Sequence, residues 1–107
     1  MKIMEANVVK LTLLYGHPAD AVSFESYYAK THLPLAAKIT SVRRAEFSLV
    51  TGALDGSPSP YYRIAELYFD DVGQMQAAMS SAEGMAAVAD LSNFANGGVT
   101  SIVSTVN

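Results

Sequence analysis

Imidazole is the one side chain whose unperturbed pKa lets it both take and give a proton near neutrality, so His32 is the first candidate for catalysis. Tyr28 lies four residues earlier. If a helix reaches His32, the two rings share a face, and the phenol is placed to fix the imidazole tautomer. The competing role is structural: Pro34 follows two residues later, and His32 could cap a kink there by bonding a freed carbonyl. Glu66 stands between Ile64 and Tyr68 in strand alternation. On a buried face its carboxyl would be raised into the range of a general acid or base, whereas on an open face it would pair with Arg44 or Lys10 across the sheet. Tyr15, Tyr61, Tyr62 and Tyr68 combine an apolar ring with a polar tip, which suits a pocket for a planar or apolar ligand and equally suits core and dimer contacts. The candidate set is therefore His32 and Tyr28 for catalysis, with Tyr15, Glu66, Tyr62 and Tyr68 for ligand binding.

Other chemistries find little support. His17 sits in a Gly16-His17-Pro18 turn, where side chains are usually exposed, and neither histidine belongs to an H-E-x-x-H spacing, so no metal is expected. The glycines match neither a dinucleotide fingerprint nor a phosphate loop, and no bound cofactor is expected. With no cysteine there is no thiolate nucleophile and no disulfide. A net charge of −3, with basic residues scattered except for the adjacent Arg43 and Arg44, argues against a nucleic-acid footprint and against an anionic membrane surface. Met1–Val9 lacks the apolar run and cleavage site of a signal peptide, and no apolar stretch nears the ~20 residues that span a bilayer. A cytoplasmic protein is the expectation.

The elements that must position these residues read off the patterning. Val8 to Tyr15 alternates with Val9, Leu11, Leu13 and Tyr15 on one wholly apolar side, a strand closed by the Gly-His-Pro turn. Asp20 is a good N-cap, and Phe24, Tyr27, Tyr28, Thr31 and Leu35 follow helical spacing; Pro34 predicts an end or kink near Thr31 to Leu33. Val42 to Val50 suits a half-exposed edge strand, 51–60 a loop, and Tyr61 to Phe69 a long strand. Two capping signatures, Asp71 with Gln74 and Ser80 with Glu83, predict a second helix broken near Ser80 and Ser81. Met75, Met79 and Met85 read as packing residues, and Val99 to Val106 as the last strand.

The order is strand, helix, strand, strand, helix, strand. Right-handed crossovers then place both helices on one sheet face and leave the other open. At 107 residues, half of them hydrophobic and 16% charged, the chain has material for one core and a surplus of apolar surface. The expectation is a single α+β domain over 1–107, with a four-stranded antiparallel sheet that pairs into a twofold homodimer.

The run Tyr27-Tyr28-Ala29-Lys30-Thr31-His32-Leu33-Pro34-Leu35-Ala36 resembles the Tyr-Tyr-x-x-Thr-His-x-Pro-Leu-Ala signature of the EthD family. Leu14-Tyr15-Gly16-His17-Pro18, Ala65-Glu66-Leu67-Tyr68-Phe69-Asp70 and Phe94-Ala95-Asn96-Gly97-Gly98-Val99 resemble the same family in the right order. Two positions depart from it: Thr40-Ser41 replaces an expected Pro-Gly turn, and Ala45 stands where a larger aromatic is usual. The resemblance implies a ferredoxin-like βαββαβ chain and a dimeric α/β barrel. The family is named for ethyl tert-butyl ether degradation beside a cytochrome P450 system, and barrels of similar fold include cofactor-independent oxygenases, isomerases and cyclases. The resemblance thus implies either an enzyme acting on a small hydrophobic or aromatic molecule or a noncatalytic binding or accessory protein to an oxygenase system; fold alone does not choose.

Overall fold

The structure, a computed structural model, describes residues 8–107. Apart from its last two residues, the segment read for a signal peptide lies outside the described residues. The order is β1 (Val9–Gly16), α1 (Ala21–Tyr27), a π-helical turn (Tyr28–His32), α2 (Leu33–Ala36), β2 (Arg44–Leu49), β3 (Tyr61–Phe69), α3 (Val72–Ser80), α4 (Ala82–Asp90), a short 3-10 turn (Leu91–Asn93) and β4 (Val99–Thr105). The sheet order is β2-β3-β1-β4 with every neighbouring pair antiparallel, so each helical connection crosses one intervening strand. This is the ferredoxin-like α+β topology.

The apolar alternation of β1 decides which face is covered. Val9, Leu11 and Tyr15 are buried beneath the helices, paired with Phe69, Leu67 and Arg63 of β3. Two clusters fill the interior: Val9, Leu11, Leu67 and Phe69 pack with Ala78 and Ala87, and Tyr15 and Ala65 pack with Phe24, Tyr28 and Phe94. The opposite face carries the other register set, Lys10–Tyr68, Thr12–Glu66 and Leu14–Ile64, continued by Arg44, Glu46 and Ile102 at the edges. No helix covers it. β2 and β4 are edge strands, and both are exposed along their whole length.

Of the end or kink expected near Thr31 to Leu33, the helix shows no end: it is interrupted there by the π-turn and continues through Pro34. α1, the π-turn and α2 run end to end, and the Leu33 amide donates to the Tyr28 carbonyl five residues back. The widened turn accommodates a proline ring that would otherwise press on the carbonyl four residues earlier. The second helix breaks where expected, but Ser81 rather than Ser80 is the cap: Ser81 has extended backbone and its hydroxyl accepts from the Gly84 amide, while Ser80 bonds back to the Gln76 carbonyl. At the other end of the sheet, the Gly16 amide donates to the Gly98 carbonyl over 2.9 Å. A Cβ on Gly97 would overlap the His17 carbonyl, so only glycine lets the two turns meet this closely.

Candidate functional site

A cavity of about 310 Å³ lies between the covered sheet face and the helices. Leu11, Leu13, Ala65 and Leu67 form its floor, and Met75, Met79, Ala87 and Leu91 much of its roof. His32 is set into this apolar wall, with Tyr28 beside it.

His32 is 5% exposed and Asp90, at the end of α4, 7%. His32 Nδ1 lies 3.0 Å from Asp90 Oδ2. The other carboxylate oxygen accepts from the Tyr27 hydroxyl at 2.6 Å and from Asn93 Nδ2 at 3.0 Å. Burial alone would raise the Asp90 carboxyl, but the hydrogen bonds from Tyr27, Asn93 and His32 outweigh it and hold the group below its ordinary value. An ionised carboxylate can only accept, so Nδ1 carries a proton, and a ring bearing that one proton has its lone pair on Nε2. Because Asp90 occupies Nδ1, Nε2 is the nitrogen left to meet a ligand in the cavity. The ring is held flat by Tyr28, with centroids 5.8 Å apart and planes 15° apart, and by Phe94 at 4.6 Å. An oriented, carboxylate-paired imidazole in an apolar wall is the arrangement of a general acid–base group.

Tyr28 has a different role from the one its spacing suggested. It shares a face with His32, but the π-turn stacks the two rings, and Asp90 rather than the phenol fixes the tautomer. The hydroxyls of Tyr28 and Tyr15 have no hydrogen-bond partner within the described residues. Burial pushes the Tyr28 phenol up to about 12 and raises Tyr15 as well, so both stay neutral. Arg63 lies 5.1 Å from the Tyr28 ring centre and grips Glu25 through two bonds of 2.6 and 2.8 Å, which fastens the helical rod to β3.

The remaining sequence candidates lie away from the cavity wall. Tyr15 is fully buried behind it, edge-on to Phe24 and Tyr28. Tyr62 donates to Glu25 at 2.8 Å and belongs to the Arg63 fastening. Glu66 and Tyr68 are on the open face, because the β1–β3 register pairs them with Thr12 and Lys10. There Glu66 forms an ion pair with Lys10 at 2.9 Å, and the Tyr68 ring lies under the Arg44 guanidinium at 4.3 Å. His17 is a clamp: its Nε2–H donates to the Ser59 carbonyl over 2.7 Å, tying the first turn to the loop before β3. Among the described residues, no three His, Asp or Glu side chains converge as a metal site would need.

Asp90 escaped the sequence reading. Its signal was available: Ala87, Asp90, Leu91 and Phe94 share one helical stripe, so a lone carboxylate falls on an otherwise apolar face.

The family model that matches this chain is the EthD domain, over residues 17–98. The chain belongs to the EthD family. A relative from Rhodococcus erythropolis, an uncharacterized 11.0 kDa protein in the thcB-thcC intergenic region, is 42% identical over 91 residues, covering 85% of this chain and 87% of that protein. The crystal structure of an EthD family protein from Bacillus halodurans superposes with a TM-score of 0.87 at 34% identity, covering 94% of this chain and 99% of the other. SnoaB, a cofactor-independent oxygenase from Streptomyces nogalater, shares the fold alone, with a TM-score of 0.63 at 15% identity over 94% and 92% of the two chains. EthD membership accords with the ferredoxin-like topology. No helix among the described residues is long and apolar enough to cross a membrane.

Proposed function

We propose that this EthD protein binds a small hydrophobic or aromatic molecule in the cavity and transforms it by proton transfer through His32, without a bound cofactor. The carrying observation is the His32–Asp90 pair, 3.0 Å apart, in a wall that is otherwise almost wholly apolar. The Nε2 lone pair takes a proton from an acidic C–H or O–H of the ligand, and the electron pair of that bond stays behind as an enolate or phenolate. The imidazolium so formed is neutralised by Asp90 and returns its proton to a neighbouring atom, which moves the double bond and yields an isomer. In a cyclisation the carbanion pair instead forms a bond to a carbonyl carbon of the same ligand, the C=O π bond breaks, and the proton goes to the alkoxide so formed. Oxygenation would start from the same anion with dioxygen as co-reactant and oxidant. The description of SnoaB accords with that variant, but a likeness at 15% identity carries the fold and not the reaction.

The molecule works as a homodimer in this reading. Leu14, Ile64 and the half-exposed Ile102 lie on the uncovered sheet face with the Lys10–Glu66 pair, and a second copy buries them by twofold symmetry. Screening the pure protein against small aromatics by thermal shift tests the ligand assignment. A binder whose conversion is lost in His32→Asn supports the enzyme; a binder that is never converted supports the accessory protein.

A further inference from the structure

The His32 cavity does not end at the rod. A second cavity of about 320 Å³ lies between α2 and β2, lined by Leu33, Ala37, Val42 and Ala45, with the charged Arg44 also on its wall. The two share Ala36, Ile39, Phe47 and Leu67, so one continuous apolar wall serves both. Three alanines, Ala36, Ala37 and Ala45, border the outer one and leave it open. Ala45 faces the helices, because the register pairs it with the buried Leu67. A cavity of about 150 Å³ holds one benzene ring, so the inner compartment has room for roughly two rings and the outer for about as much again.

Resting on the reading of the inner cavity as the ligand site, we propose that the ligand is an elongated apolar molecule. Its polar head meets His32 and its tail runs past Phe47 into the outer compartment, with Ala45 setting the length accepted. A compact ligand would leave the outer compartment empty and Phe47, 41% exposed, covered on its inner side alone. An extended one covers both and gains with each methylene added.

Calorimetric titration of the whole protein with 4-n-alkylphenols, from methyl to nonyl, tests this. In the unsubstituted protein affinity should rise roughly threefold to fourfold per methylene through the long members. Ala45→Phe, at an exposed strand position, should leave the short members unchanged and weaken octyl and nonyl phenol by about tenfold or more. Ala45→Leu should give an intermediate cut-off and guards against a folding defect peculiar to phenylalanine. A plateau at the same chain length in all three proteins, or an equal loss for short and long phenols, overturns the proposal while the inner site stands. If no alkylphenol binds at all, the ligand site falls and the proposal with it.

Discussion

Asp90→Asn is the sharpest perturbation of the site because it keeps the side chain's shape while it removes the charge and turns one acceptor oxygen into a donor NH2. Tyr27 and Asn93 both donate to Asp90 Oδ1, so an asparagine keeps those two bonds by placing its carbonyl oxygen there. Its NH2 group then occupies the position of Oδ2, facing His32 Nδ1. Two N–H groups cannot bond one another, so the imidazole must switch tautomer, with Nδ1 accepting and Nε2 protonated. The charge-assisted bond to His32 is lost, and with it about 1–2 kcal/mol of stability, measurable by chemical denaturation. In that tautomer Nε2 offers no lone pair, so conversion of any substrate should fall by roughly 10²- to 10⁴-fold, the upper figure being that of the equivalent change in a Ser-His-Asp triad. Nitrogen-15 NMR of the histidine ring reads the tautomer directly and needs no substrate. The resonances should show Nδ1–H in the parent protein and Nε2–H in the variant. The same tautomer in both would refute the assignment of Asp90 as the group that orients His32.

Asp90 and Glu25 are both held below their ordinary carboxyl values, Asp90 by the bonds that outweigh its burial and Glu25 chiefly by Arg63. Their stabilisation is therefore present above the unfolded values near pH 4 and lost as the pH falls through the folded ones: the denaturation midpoint should hold from about pH 7 to 5 and drop below about 4, less steeply in Asp90→Asn. Ser41 has φ 69°, in the region that favours glycine, so Ser41→Gly should raise stability by about 0.5–1 kcal/mol, and a loss of stability would remove the strain argument. Light scattering at micromolar concentration should give twice the chain mass, and Ile102→Arg on the open face should give the monomer; a monomeric parent protein would sink the dimer.

Much of this molecule is legible in its sequence, for physical reasons that differ from element to element. β1 and β3 are legible as strands because β-branched and aromatic side chains alternate along them, but the face that the helices cover is not, because both sides of each strand carry apolar side chains. The break between α3 and α4 is legible to within one residue because a serine cap is a local device. The turn at Ser41 is not legible in Thr40-Ser41 themselves: only the resemblance, which implies a Pro-Gly there, points to the left-handed backbone that Ser41 adopts. The π-turn is not legible: proline predicts interruption, and only packing of Tyr28 and His32 against Phe94 shows that the rod continues. The dyad is harder still, since His32 and Asp90 are 58 residues apart and meet only when both helical segments lie on one sheet face. Glu66 and Tyr68 fit a site on sequence alone because β3 is aromatic on both sides, but the sheet register decides which side meets the helices.

Proton transfer through His32 Nε2 is tested most directly by following deuterium uptake from D2O into the acidic C–H of an aryl ketone that binds in the thermal-shift screen. His32→Asn is the control, since its amide can replace Nδ1–H toward Asp90 yet offers no base. The parent protein should catalyse the exchange, and the variant should lose roughly 10²-fold or more of it while binding the ketone with nearly unchanged affinity. Exchange at the parental rate in the variant would contradict the role assigned to His32.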